Sequence, residues 1–211
     1  MKAIKNLLLF LLIIIMVIAL ISFGLVYRSV GKNKINYQDL IDKYSEEYDM
    51  DKILIASIIN VESHYKKDAV SNMGAKGLMQ LLPETAKWVT EQLDMDFVED
   101  KLFEPEYNIQ LGSFYIKHLI NYFKNVDLAI IAYNGGIGNV EKWLQDETIT
   151  GSRDTFGEIP IRETREYIEK VDETYNLYKI IYGTKLTTEN SKLKSAWNVY
   201  KYLIQSGIDN F

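Results

Sequence analysis

From Leu7 to Ile21 the chain is apolar without a break, and Ser22-Phe23-Gly24-Leu25-Val26-Tyr27 carries the run on to about 21 residues. That length lets one helix cross a bilayer. The run has no polar face, which argues against a helix packed into a soluble core. A cleaved leader would have a shorter apolar region and a small-x-small site, of which Ser22-Phe23-Gly24 is a poor version. The pattern therefore favours a retained anchor over a cleaved leader. Lys2 and Lys5 precede the run and Arg28, Lys32 and Lys34 follow it, so charge bias alone does not orient it. The simplest arrangement has a short cytoplasmic tail at 1–6, a single span at 7–27, a polar linker at 28–36 and everything after it on the extracytoplasmic side of the cell membrane.

Beyond the linker, apolar positions recur at helical spacing. Leu40, Ile41, Tyr44 and Tyr48 predict a helix over 37–48. Asp49 or Asp51 can cap the next, about 51–63, with Ile53, Leu54, Ile58, Ile59 and Val61 inside. Glycines mark 71–77 as a loop. Pro83 followed by Glu84 opens a helix through Trp88 to about Leu93. Residues 94–106 are acidic and irregular. Ile109, Leu111, Phe114, Tyr115, Leu119 and Tyr122 predict a helix over 108–123, and Asp127 caps another over 128–133. Asn134-Gly135-Gly136-Ile137-Gly138-Asn139 stops that one, a short helix around Trp143 follows, and 146–158 reads as loop. Pro160 leads into a long helix over 162–182, and 196–204 is a short amphipathic piece. No segment alternates with strand period. The expected class is all-α, with at most a small hairpin in a loop, and 37–183 as one domain followed by a C-terminal tail or helix at 184–211.

Composition narrows the chemistry. Across 211 residues the chain is 47% hydrophobic and 25% charged, with a net charge of −5. It is globular and lacks the basic footprint of a nucleic-acid binder. Its cysteine count is 0, which removes disulfides, thiolate catalysis and cysteine zinc sites. With only His64 and His118, a His-rich metal site cannot be built, and no metal or other cofactor is expected.

Four stretches can carry chemistry. Glu62 ends an apolar run just before a glycine loop; it is either an ordinary helix-end glutamate or an acid whose pKa is raised by partial burial, able to hold a proton near neutrality and donate it. In Gly74-Ala75-Lys76-Gly77-Leu78-Met79-Gln80 the glycines permit positive φ or close backbone approach, but the phosphate-loop pattern is absent. Met79 and Gln80 either face a ligand or, for Met79, pack in the core. Tyr133 and Asn134 at a helix end are a cleft hydroxyl and amide, or a core tyrosine and a helix stop. Glu163 sits in a first helical turn, where the dipole favours an acid without any function. His118 reads as structural, and His64 as a surface or cleft-rim group. Fifteen tyrosines and three tryptophans suit sugar stacking as well as a plain helical core.

Taken together, Glu62-Ser63, Ala69-Val70-Ser71, the run from Gly74 to Ala86, Ala132-Tyr133-Asn134-Gly135-Gly136 with Gly138-Asn139-Val140, and the run from Ile159 to Tyr167 resemble the soluble-lytic-transglycosylase-like catalytic domain, a family with a lysozyme-like fold. The pieces occur in the family's order and cover about 45–182. Gly135 stands where alanine is usual, and His64 follows Glu62-Ser63 where another residue type is usual. The resemblance implies peptidoglycan glycan strands as partner and substrate. It implies Glu62 as the lone catalytic acid and then base, Ser71 near a sugar N-acetyl group, and Met79 and Gln80 lining the cleft. It also implies Tyr133 hydrogen-bonding near Glu62, Asn134 shaping the same wall, and Glu163 as a buried cleft residue that contacts substrate or holds Tyr133. The implied reaction cleaves the β-1,4 bond between N-acetylmuramic acid and N-acetylglucosamine to a 1,6-anhydro product. A lysozyme-type hydrolase of the same bond and a non-catalytic wall-binding scaffold are the alternatives.

Overall fold

The computed structural model describes residues 2–183 and 192–208. Its regular elements are helices: α1 (Lys2–Lys32), α2 (Gln38–Glu47), α3 (Lys52–Ser63), α4 (Pro83–Gln92), α5 (Pro105–Phe123), α6 (Val126–Gly135), α7 (Ile137–Gln145), α8 (Arg162–Tyr182) and α9 (Lys192–Ile208). Two short 3-10 stretches, Glu99–Phe103 and Arg153–Glu158, shape segments whose composition reads as loop. Among the described residues no strand ladder forms. The expected hairpin amounts to isolated bridges, Val70 with Lys76 and Lys76 with Leu81. The all-α class holds.

The chain divides into two compact units, one contiguous over 36–176 and one that joins 1–35 to 177–211. In the contiguous unit α3 is the central helix. Asp51 caps it by accepting the Ile53 amide at 2.8 Å, and Ile53, Leu54, Ile55, Ala56, Ile58 and Ile59 are all buried. A helix apolar nearly all round is one surrounded by protein. α2 packs on α3, and α2, α4 and α6 pack on α5. Leu81, Ala86, Val89, Leu102, Tyr107 and Leu111 form one core cluster. Asn125 caps α6, accepting from the amides of Asp127 and Leu128 at 2.9 and 3.1 Å. Arg153 joins the start of α6 to α8 by pairing with both Asp127 and Asp172.

In the other unit, α1 contains a stretch, Ile4–Gly31, long and apolar enough to cross a membrane. The region expected to be a linker, 28–36, is helical through Lys32. Val30, Ile181 and Ala196 form a small core with Phe23, Val26, Leu177, Tyr182 and Val199 around it. The Tyr182 hydroxyl donates to the Asn33 carbonyl at 3.0 Å and accepts the Ile35 amide at 3.3 Å. The C-terminal piece expected at 196–204 is a longer helix, α9; residues 184–191 and 209–211 of the expected C-terminal segment lie outside the described residues.

Candidate active site

Glu62 sits in the last turn of α3, where the central helix emerges from the core. His64 ends the helix in the left-handed region at φ 50°, with its amide bonded to Asn60. The Ser63 hydroxyl fixes this end by reaching the carbonyls of Ile59 at 3.1 Å and Leu78 at 2.7 Å. Glu62 is therefore held at the junction of helix and loop, largely removed from water. Burial pushes its pKa up to about 7, the Tyr167 hydroxyl draws it part of the way back, and the Glu163 charge pushes it up again. Such a carboxyl is partly protonated at neutral pH, as a general acid must be.

The loop after α3 is shaped by one buried amide. Asn108 is fully buried in the first turns of α5. Its Nδ2 donates to the carbonyls of Lys76 and Leu102, both at 2.9 Å, and its Oδ1 accepts the Met79 amide at 2.7 Å. Gly77 makes this possible. It sits at φ +78°, and a Cβ there would lie 2.1 Å from the Leu102 carbonyl oxygen and 2.3 Å from Asn108 Nδ2. Both the backbone conformation and the space demand glycine.

A cleft of about 510 Å³ opens over Glu62 and is also lined by Ser71, Gln80, Tyr115, Tyr133, Asn134, Glu163 and Thr164. The Ser71 hydroxyl oxygen accepts the amides of Met73 and Ala75 at 3.3 and 3.0 Å, which closes the loop on itself. Gln80, at φ 47°, donates its amide to the carbonyls of Ala69 and Gly77 at 3.0 and 2.9 Å. Asn134 accepts the Thr164 hydroxyl at 2.7 Å, tying the end of α6 to the start of α8. Tyr133 donates to the Met79 carbonyl at 2.8 Å. Burial, then the charge of Glu62, holds its phenol pKa well above the usual value.

Two placements depart from expectation. Met79 does not line the cleft: its side chain is fully buried, and it fills the space left by Gly112, where a Cβ would come within 2.4 Å of the Met79 sulfur. Its contribution to the site is the backbone carbonyl that holds Tyr133. Glu163 lines the cleft but is exposed, not buried, and Tyr133 is held by Met79 in its place. A carboxylate in a first helical turn with no buried cation is cheapest in contact with water.

Three further residues carry the site. Tyr167 is buried and its hydroxyl has no partner of good hydrogen-bond geometry, although it lies near enough to Glu62 to influence it; burial and the Glu62 charge keep it firmly protonated. Tyr167 is four residues after Glu163, so the helical period puts both on one face; the apolar stripe of α8 disguised it as core. Tyr115 packs its ring 5.4 Å from Tyr133, and Asn108 looked like any polar residue near a helix start. His64 is exposed, and the His118 ring packs on Trp88 at 4.7 Å. Among the described residues no group of His, Asp and Glu could hold a metal ion.

The helical unit that carries the partly protonated Glu62 shares its fold with solved lytic transglycosylases. Lytic transglycosylase Slt from Pseudomonas aeruginosa, solved as an inactive mutant, superposes with a TM-score of 0.63 at 30% identity, covering 76% of this chain and 26% of that one. The 70-kDa soluble lytic transglycosylase from Escherichia coli superposes with a TM-score of 0.64 at 26% identity, covering 77% of this chain and 26% of its own. Residues 39–156 match the Transglycosylase SLT domain, and the chain belongs to that family. Among curated relatives it is 33% identical over 156 residues to the soluble lytic murein transglycosylase of Salmonella typhimurium, covering 71% of this chain and 24% of that protein. It is 30% identical over 194 residues to membrane-bound lytic murein transglycosylase C of Edwardsiella ictaluri, covering 78% and 52%. The chain thus spans only about a quarter of the Salmonella relative, at 24%.

Proposed function

We propose that this chain is a membrane-anchored peptidoglycan lytic transglycosylase that cleaves between N-acetylmuramic acid and N-acetylglucosamine, with Glu62 as acid and then base. The observation that carries this reading is the Glu62 carboxyl, half-buried in the lining of the cleft with its pKa raised to about 7. Family membership supports it. So does the cleft lining, in which Glu163 is the other carboxylate and is open to water. Retaining and inverting glycosidases commonly pair two carboxylates; an exposed Glu163 suits a mechanism that needs one.

In that mechanism protonated Glu62 gives its proton to the glycosidic oxygen as the bond to the muramic C1 breaks. The substrate's own N-acetyl oxygen stabilises the developing cation. Ionised Glu62 then takes the proton of the muramic C6 hydroxyl as that oxygen closes on C1, giving the 1,6-anhydro sugar and restoring the acid. Tyr133 and Tyr167 stay protonated throughout. The Tyr133 proton is committed to Met79, whereas the Tyr167 hydroxyl is available to the carboxylate when it ionises. Ser71, Gln80 and Asn134 have their polar groups fixed by the loop and by Thr164, and orient the sugars from rigid positions. The anchor is α1, with the domain after it on the extracytoplasmic side, where the wall lies.

The test is mass analysis of wall digested by the full chain in detergent. Anhydro ends, lighter by one water, are expected; reducing muramic ends would make the enzyme a lysozyme-type hydrolase. Glu62→Gln should lower the rate by at least about a hundredfold while still sedimenting with wall. Full activity in that variant would sink the assignment, and an inactive wild type that binds wall would favour a scaffold.

A further inference from the structure

The last helix, α9, has a feature that wall cleavage does not use. Leu193, Trp197, Tyr200 and Ile204 recur at helical spacing and form one stripe. Leu193, Trp197 and Ile204 are 60%, 50% and 47% exposed, as are Tyr202 at 50% and most of the apolar surface of α1. The next stripe round the helix is polar: Lys194, Asn198, Lys201 and Gln205. Over its whole length α9 carries three lysines, Lys192, Lys194 and Lys201, and no carboxylate.

Where α9 packs gives this stripe its meaning. The Phe23 ring meets Trp197 at 6.4 Å and Tyr200 at 5.5 Å between centroids. The Ser22 hydroxyl meets the Tyr200 hydroxyl at 3.5 Å. Nearer the end of α1, Val30 shares a cluster with Ala196. The pairs run in opposite order along the two helices, so α9 is antiparallel to α1 and travels back along it. Ser22, Phe23 and Val30 all lie within the stretch that can cross a membrane, Ile4–Gly31. A helix packed on the side of a membrane span shares its solvent.

We propose that α9 is a second membrane-embedded element, seated against α1 in the leaflet that the C-terminal half of α1 crosses, with its Leu193-Trp197-Ile204 stripe on phospholipid tails and its lysines at anionic headgroups. The occupant of the exposed stripe is lipid because that stripe continues the exposed apolar face of α1. Trp197, Tyr200 and Tyr202, with Tyr27 of α1, are the amphipathic rings that gather at a headgroup boundary. The polar stripe matches the charge of anionic lipid, and Lys201 reaches outward along its flexible stem. In this seating α9 enters the membrane from the side where α1 leaves. This inference rests on α1 being a membrane span.

The absence of cysteine from the chain makes the test direct. Single cysteines replace Leu193, Asn198 and Ile204 in α9, Ile14 in α1, and the exposed Asp68 in the contiguous unit. Each full-length variant is nitroxide-labelled and placed in vesicles of phosphatidylethanolamine and phosphatidylglycerol. Collision with oxygen, which concentrates in lipid, is compared with collision with a water-soluble nickel chelate. The expected result is a several-fold loss of nickel collisions at Ile204→Cys relative to Asp68→Cys, an intermediate loss at Asn198→Cys and the smallest loss at Leu193→Cys, nearest the headgroups. Nickel collisions at Ile204→Cys equal to those at Asp68→Cys, with Ile14→Cys in lipid, would overturn the seating of α9 and leave the anchor standing. Water-like values at Ile14→Cys would overturn the anchor and this inference with it.

Discussion

Burial and the Glu163 charge push the Glu62 pKa upward while the Tyr167 hydroxyl pushes it down, and the two side-chain influences can be removed separately. If protonated Glu62 is the acid, the cleavage rate falls as pH rises through about 7. Glu163→Gln removes a raising influence, so the fall moves to lower pH. Tyr167→Phe removes a lowering one, so it moves to higher pH. The pH–rate profiles of the two variants should bracket the wild type; shifts in one direction would refute this account. The same proton affects stability. The Glu62 pKa is about 7 in the folded chain against an ordinary 4.5, so the folded state holds this proton more tightly than the unfolded one. That contribution is present below 4.5 and is lost as pH rises through about 7. Glu62→Gln never ionises, and above pH ~8 it should be the more stable by up to about 3 kcal/mol, with a higher thermal midpoint than wild type and with no gap near pH ~4.

At the level of elements, the cleft depends on how tightly the loop between α3 and α4 is held to α5. Asn108→Ala would strand the Met79 amide and the carbonyls of Lys76 and Leu102, at a cost of about 3 kcal/mol or more. Gly77→Ala forces a Cβ against the Leu102 carbonyl at positive φ and should cost at least about 2 kcal/mol. Thermal unfolding of the full chain in detergent checks both. The helices were legible because their stripes are regular: α8 spans the expected 162–182, and α3 runs Lys52–Ser63 where 51–63 was expected. The loop's fastening was not, because it is made by residues distant in sequence whose types are ordinary. Nothing local marks Asn108 as satisfying three backbone groups. Met79 was placed in the lining by the resemblance, while its residue type also fitted the core; the signal that it turns inward is Gly112, whose missing Cβ leaves the space that Met79 fills. Glu163 looked buried only through the resemblance, whereas its own position in a first turn called for water. The polarity change after Val61 left Glu62 either an ordinary helix-end glutamate or a raised-pKa acid, and only the resemblance singled it out.

For the whole molecule, the proposed anchor makes a simple demand. The chain should stay in the membrane pellet after an alkaline carbonate wash and leave it only with detergent; release by carbonate would refute the span. Protease added to spheroplasts should digest the contiguous unit from outside, and protection until lysis would reverse the orientation. The division of the chain also bears on the order in which it assembles. Residues 36–176 form one unbroken stretch, so every contact within it is available before the last helix has been synthesised. Ser22 and Tyr200, by contrast, are 178 residues apart. That pairing closes a loop of most of the chain, and closure is slow when the ends start far apart. An intervening unit already folded, with its first and last residues fixed, replaces most of that random search with a short one. The contiguous unit therefore folds first, and with that search shortened α9 docks on α1 after it.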